Sequence, residues 1–208
     1  MGAIDVYEAV VALAGDARHA ARVAEMRRVF EARTGAFGPE DRWFEARSRA
    51  FWDDALTRQA FAREVEPEIP DAARAWIAAF ARSHRGLFRA TEHAGRWLVV
   101  DAWSAAEFII DTVDEATREE LHAADSLFDG RVVAIASPLA VALLPGALFH
   151  PAEATGAIEG VVRAAKGAGL SADDACDALL RMERSFRSLS RVKAAYAYRP
   201  EALRPLSK

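Results

Sequence analysis

Apolar residues recur every three or four positions in the first 85 residues and again after residue 150, which is the spacing of helices with one buried stripe. Between these arms the rhythm changes. Over residues 86–150 the apolar positions alternate every second residue or run in short bursts bounded by Gly and Pro, which predicts strands. The fold class that follows is α+β: helical arms at both ends around a small antiparallel sheet or partly closed β-barrel at about residues 87–149. Residues 1–208 read as one domain, with helical regions 1–86 and 150–208 flanking the β-rich part.

Val6, Val10, Leu13, Ala17, Ala20, Val23 and Phe30 predict a first helix capped by Asp5, with Gly15-Asp16 kinking or splitting it and Gly35 ending it. A second helix is expected from Pro39 to Val65, with Asp53-Asp54 as exposed acids beside Arg49 and Arg58. A third should begin at Asp71 and stop at Gly86. LFRATEH and RWLVVDAW, separated by Ala94-Gly95, predict a β-hairpin. EFIIDTV, RVVAIA and LAVALL supply three more strands, with a short helix at ATREELHAAD between the first two of them. LPGALFHP should leave the sheet, and AEATGAIEGVVRAAKGAG should be a helix weakened by Gly156 and Gly160.

The last helix is the best patterned. Ser171 caps it, acids lie early, and Cys176, Leu179, Met182, Phe186, Leu189, Val192 and Tyr196 follow the spacing 3, 3, 4, 3, 3, 4. Such a seam can grip the chain's own N-terminal helix or a second polypeptide. Leu179, Phe186, Leu189, Val192 and Tyr196 are therefore the candidate interaction residues. On the neighbouring face Arg184, Arg187, Arg191 and Lys193 form a basic patch that can meet phosphates or an acidic protein surface. Its counterweight is residues 107–129, where eight carboxylates face only Arg118.

Composition narrows the classes. With 52% hydrophobic and 28% charged residues the chain is globular, and a net charge of −4 removes any global nucleic-acid signal. Lys occurs only at 166, 193 and 208, Asn is absent and Gln59 is the one Gln. This points to a GC-rich, bacterial genome and makes arginine richness weak evidence of function. The single Cys176 allows no internal disulfide, Asp5 and the lack of a basic leader argue against a secretory signal, and Pro138, Pro145 and Gly146 interrupt the most apolar window. A cytoplasmic protein with no membrane span is expected.

No catalytic residue can be assigned, because the Ser residues lack a nucleophile-elbow context, and the five His residues show no metal-ligand spacing. Gly167-Ala168-Gly169 follows a helix and does not cradle a phosphate; no cofactor or metal is implied. Trp43, Trp52, Trp76, Trp97 and Trp103 read as core or as the lining of a pocket between sheet and helices. The function these features support is a non-enzymatic interaction or regulatory module, acting on a protein partner or by self-association. The alternatives are a nucleic-acid-associated protein using the basic C-terminal helix, and an enzyme with a dispersed site.

Overall fold

The computed structural model describes residues 1–189 and 193–203. The N-terminal arm contains α1 (Ala3–Ala14), α2 (Ala20–Thr34), α3 (Phe44–Leu56), α4 (Phe61–Glu64) and α5 (Arg74–Phe80). A six-stranded antiparallel sheet follows: β1 (His84–His93), β2 (Arg96–Asp101), β3 (Glu107–Ile110), β4 (Phe128–Ala136), β5 (Leu139–Leu143) and β6 (Leu148–Phe149), with α6 (Glu115–Ala123) between β3 and β4. The C-terminal arm contains α7 (Thr155–Gly167), α8 (Ala172–Ser188) and α9 (Ala194–Ala197).

The strands run in the order β3-β2-β1-β4-β5, and β6 pairs the start of β4. The sheet is nearly closed into a barrel. Thr112 forms a bridge with Ala142, and Val141 accepts the amides of Asp111 and Thr112, so the two outer strands meet at one end only. Phe88, Val99, Ile110, Phe128, Val132 and Leu143 fill the interior, where the Phe128 and Phe149 rings stack at 4.8 Å. Each such aromatic or aliphatic side chain contributes about 2 kcal/mol by leaving water.

The outer face of the barrel is covered unevenly. Val133, Ala142 and Leu144 join the apolar cluster of α1, α3 and α5, while Leu87 joins the cluster of α7 and α8. Alternation puts Leu98, Val100 and Ile109 of β2 and β3 on the outer face as well, yet they remain half-buried or exposed.

The first helix splits at Gly15-Asp16 as its sequence suggests. Several other boundaries differ from the expectation: Gly2 stands at the N-cap, and Asp5 lies one turn inside α1, where its carboxylate accepts the Gly2 amide at 2.7 Å. The expected helix from Pro39 to Val65 is instead α3 and α4, broken at Ala60 with φ 60°, so that Phe61 enters the core and Gln59 turns back to Asp54 and Met26. Gly86 stops no helix; it lies within β1 opposite Gly130, where a Cβ would meet the Phe88 ring at 2.7 Å. LPGALFHP does not leave the sheet, because Leu148 and Phe149 form β6.

The last helix ends at Ser188, whose hydroxyl donates to the Arg184 carbonyl, and Leu189 is extended. Tyr196 therefore belongs to α9. α8 packs on α2, α7 and β1, so the first half of the seam meets the chain's own helices.

Glycine is required both at the hairpin turn and where Gly146 approaches α3. Ala94 and Gly95 both have positive φ, 51° and 75°, as a type I′ turn demands. Gly95→Val should destabilise by about 1 kcal/mol or more through backbone strain alone, since nothing crowds that position. A Cβ on Gly146 would lie 2.4 Å from Asp53 Cγ and 2.6 Å from the Arg49 carbonyl oxygen, so Gly146→Ala should be worse, by about 3 kcal/mol. Urea denaturation of the two variants checks both magnitudes and their order.

Candidate functional site

Charged residues interrupt the apolar patterns at Asp54, Arg85, Asp129, Arg131 and Asp177, and the fold gathers all of them, with Arg33, between the barrel and the helices. Arg85 and Arg131 are cross-strand partners on β1 and β4, an arrangement of like charges that is unfavourable alone. Each is matched by carboxylates. Arg85 clasps Asp129 with two hydrogen bonds of 3.1 and 2.6 Å and donates to Asp177 Oδ1 at 2.6 Å. The other oxygen of Asp177 accepts from Arg33 at 2.9 Å and Arg58 at 3.1 Å. Arg33 continues to Asp54 at 2.5 Å, and Asp54 reaches Arg131 at 3.1 Å. The result is an unbroken chain, Asp129–Arg85–Asp177–Arg33–Asp54–Arg131, that joins β4 and β1 to α8, α2 and α3.

Burial acts against the charge of Asp177, but Arg85 and Arg33 outweigh it and hold its pKa below the ordinary carboxylate value. Burial likewise opposes the Arg85 guanidinium, and Asp129 and Asp177 more than compensate. Arg131 is the strained member: burial and the neighbouring Arg85 make it less basic than usual despite Asp54. Cys176, next to this layer, has its thiol pushed up by burial and by Asp129, so it stays protonated.

The expectation that Asp53 and Asp54 are exposed is overturned, since both are buried, at 3% and 2% exposure. The physical reason is that α3 is covered on two sides, by α2 and by the loop before β6. Asp53 accepts the Gly146 amide at 3.0 Å with one oxygen while the other has no partner, and burial raises its pKa to about 8. The space beside this layer has a volume of about 10 Å³, room for no substrate. A larger open groove of about 710 Å³ lies outside it, lined by Arg33, Asp174, Asp177, Arg181, Glu201 and Leu203.

No protein-family model, curated protein or solved structure matches this chain. Its chemistry therefore rests on the geometry.

A second polar group sits at the end of the barrel. Buried Asp101 accepts from His84 Nε2 at 3.1 Å, the Ser104 hydroxyl at 2.5 Å and the Trp103 amide at 3.0 Å. The serine donates to the carboxylate and not to the imidazole, so the nucleophile–base order of acyl transfer is not met; Asp101 closes the turn between β2 and β3. His150 is buried against Tyr198 at 3.1 Å, and burial drives its pKa down to about 3. Among the described residues no group of three or more His, Cys, Asp or Glu is arranged to hold a metal ion.

The interaction residues read from sequence are dispersed. Leu179 is buried among α7 side chains, Phe186 is half-buried near the Tyr198 ring, and Leu189 and Tyr196 are exposed. Of the basic patch, Arg184 donates to the Ala36 carbonyl, Arg187 pairs with Glu183, and Lys193 is exposed. Val192 and Arg191 lie outside the described residues. Of the tryptophans, Trp76 is buried, Trp97 packs at the barrel interior, and Trp103 lies under Lys166, whose ammonium is 5.4 Å from the ring centroid.

Two predictions follow from the buried charges. Asp177→Ala leaves Arg85 short of a partner and should cost about 3–5 kcal/mol in urea denaturation, because an uncompensated buried charge is left behind. A raised carboxyl such as Asp53 favours the folded state at low pH and loses that contribution as pH rises through about 8. A lowered histidine such as His150 favours the folded state above its ordinary 6.5 and loses that contribution as pH falls toward about 3. Below pH 6.5 the two slopes oppose each other; from 6.5 to 8 Asp53 acts alone of the two. Stability should fall by about 2 kcal/mol across that interval, and Asp53→Asn should flatten it; a slope kept by the variant assigns it to another group.

Proposed function

We propose that this chain is a non-enzymatic protein-interaction module of regulatory type, working in the cytoplasm of a bacterial cell. The observation that carries this reading is where its large apolar side chains remain in water. Among the described residues, apart from Met1, they are Ile109 and Leu139 on the barrel, 55% and 77% exposed, and Leu189 and Tyr196 near the C-terminal end, 48% and 68% exposed. Exposed apolar groups in a rim of charge are the usual make-up of a docking surface.

The buried ionic layer supports the same reading, since its guanidinium and carboxylate groups bind one another and hold the surface elements rigid. Unpaired Cys176, the scarcity of Lys and the absence of Asn are consistent with the proposed compartment and source. Among the described residues no helix is long and apolar enough to cross a membrane.

The test is capture from native lysate by wild type and two double variants, Ile109→Asp with Leu139→Asp and Leu189→Asp with Tyr196→Asp. These positions are exposed, so the variants should keep the wild-type circular dichroism and lie within about 0.5 kcal/mol of its stability. A protein retained after nuclease treatment and lost by one double variant supports the proposal. Capture unaffected by both variants, or abolished by nuclease, overturns it.

A further inference from the structure

The barrel is left open on one side, and what lines the opening is specific. β3 pairs with β2 through Ile110↔Trp97 and Phe108↔Val99, and the Asp101 amide donates to the Ala106 carbonyl, so the even-numbered residues of β3 turn their backbone groups toward β2. The odd-numbered ones turn the other way. At Asp111 the alternation ends: Asp111 and Thr112 both donate their amides to Val141 of β5, and the Thr112 carbonyl accepts the Leu143 amide. Glu107 and Ile109 face the same side, and there the ladder to β5 is missing; among the described residues their edge-facing backbone groups have no backbone partner.

On the opposing strand Val141 and Leu143 point toward β3, which places the backbone of Leu139 on the open edge too. The two exposed apolar side chains of the barrel, Ile109 and Leu139, thus belong to edge residues on either side of one opening. Unpaired strand edges bind extended segments through backbone hydrogen bonds, while side chains alternating along the added strand supply selectivity.

Charge selects the occupant. Glu107 stands on the edge itself, and Asp111, Asp114, Glu115, Glu119 and Glu120 continue from it. Arg96 lies 3.6 Å from Asp111, which also accepts the Val141 amide, Arg118 lies 2.7 Å from Glu115, and Arg49 reaches Glu120 from α3 at 3.7 Å; among the described residues Glu107, Asp114 and Glu119 have no salt bridge. The other rim, residues 132–148, carries no charge. Pairing β3 with β3 of a second copy would bring two acidic clusters together, which disfavours a homodimer through this edge.

We propose that Glu107 and Ile109 of β3, with Leu139 of β5, accept an extended segment of another protein by strand addition, the segment bearing alternate apolar residues and flanking Lys or Arg. This rests on the reading of the chain as an interaction module and names the partner chemistry of its barrel surface.

The probe is a labelled peptide of alternating Val and Thr flanked by Lys, compared with a Glu-flanked peptide and with a Lys-flanked peptide N-methylated at alternate residues. Fluorescence anisotropy should show binding of the first, weakened about tenfold or more by N-methylation, by Glu flanks and by Ile109→Pro, and weakened by salt. Hydrogen exchange should show added protection at the Glu107, Ile109 and Leu139 amides. Ile109→Pro removes an edge-facing amide outside the β2–β3 ladder, and circular dichroism verifies its fold; should it unfold, the N-methylated peptide decides alone. Absence of binding by the Lys-flanked peptide, binding indifferent to N-methylation, or a wild-type dimer in sedimentation velocity that Ile109→Pro dissociates overturns the proposal. A lysate partner still held by folded Ile109→Pro also overturns it, while leaving the interaction reading intact.

Discussion

The alternating run of Asp129, Arg85, Asp177, Arg33, Asp54 and Arg131 is the contact on which the arrangement of barrel and helices depends. It joins two neighbouring strands to α2 and α3 of the N-terminal arm and to α8 of the C-terminal arm. Buried charges repay their desolvation only when pairing is complete and hydrogen bonds satisfy the remaining groups. Here both oxygens of Asp54, Asp129 and Asp177 are engaged, and Gln59 adds a further donor to Asp54. The layer is therefore selective more than it is strongly stabilising: a shifted helix would strand a charge in the interior, so misdocked arrangements are penalised.

Arginine performs a second task at the C-terminal end of α2. Arg47 donates to the Thr34 carbonyl, Arg181 to the Arg33 carbonyl and Arg184 to the Ala36 carbonyl, and Arg47 also meets buried Glu183 at 3.2 Å. The last carbonyls of a helix lack intrahelical partners and carry the negative end of its dipole. Guanidinium groups from α3 and α8 supply the missing donors, and their planar fork lets one side chain serve two helices. An arginine content that reads as codon bias in the sequence is thus used throughout the interior. The fold explains where these arginines are placed.

The same division accounts for the character of the surface. Arg181 and Arg184 of α8 donate to carbonyls and Arg187 pairs with Glu183, so these three guanidinium groups are engaged within the fold. The acidic stretch after β3 is only partly neutralised among the described residues. Glu107 stands on the open edge of β3, where a carboxylate deters pairing with a like copy.

The sequence by itself determined the class of the fold, because strand and helix periods are properties of neighbouring residues. The hairpin at Ala94-Gly95, the Ser171 cap and the strands at EFII, RVVAIA and LAVAL were legible for that reason. It did not determine where α3 and α4 part or where α8 stops: Ala60 takes φ 60° as Phe61 enters the core, and Leu189 is extended although the apolar spacing runs on past it. The candidate site was less legible still. Asp53-Asp54 follows Trp52 like any exposed acidic pair, and only the second layer of structure, α2 and the Gly146 loop, encloses it. A faint signal existed in Arg85, Arg131 and Asp177, charges set inside apolar runs. Their partners lie 44 to 144 residues away, and opposite charges across such separations are matched by tertiary packing alone.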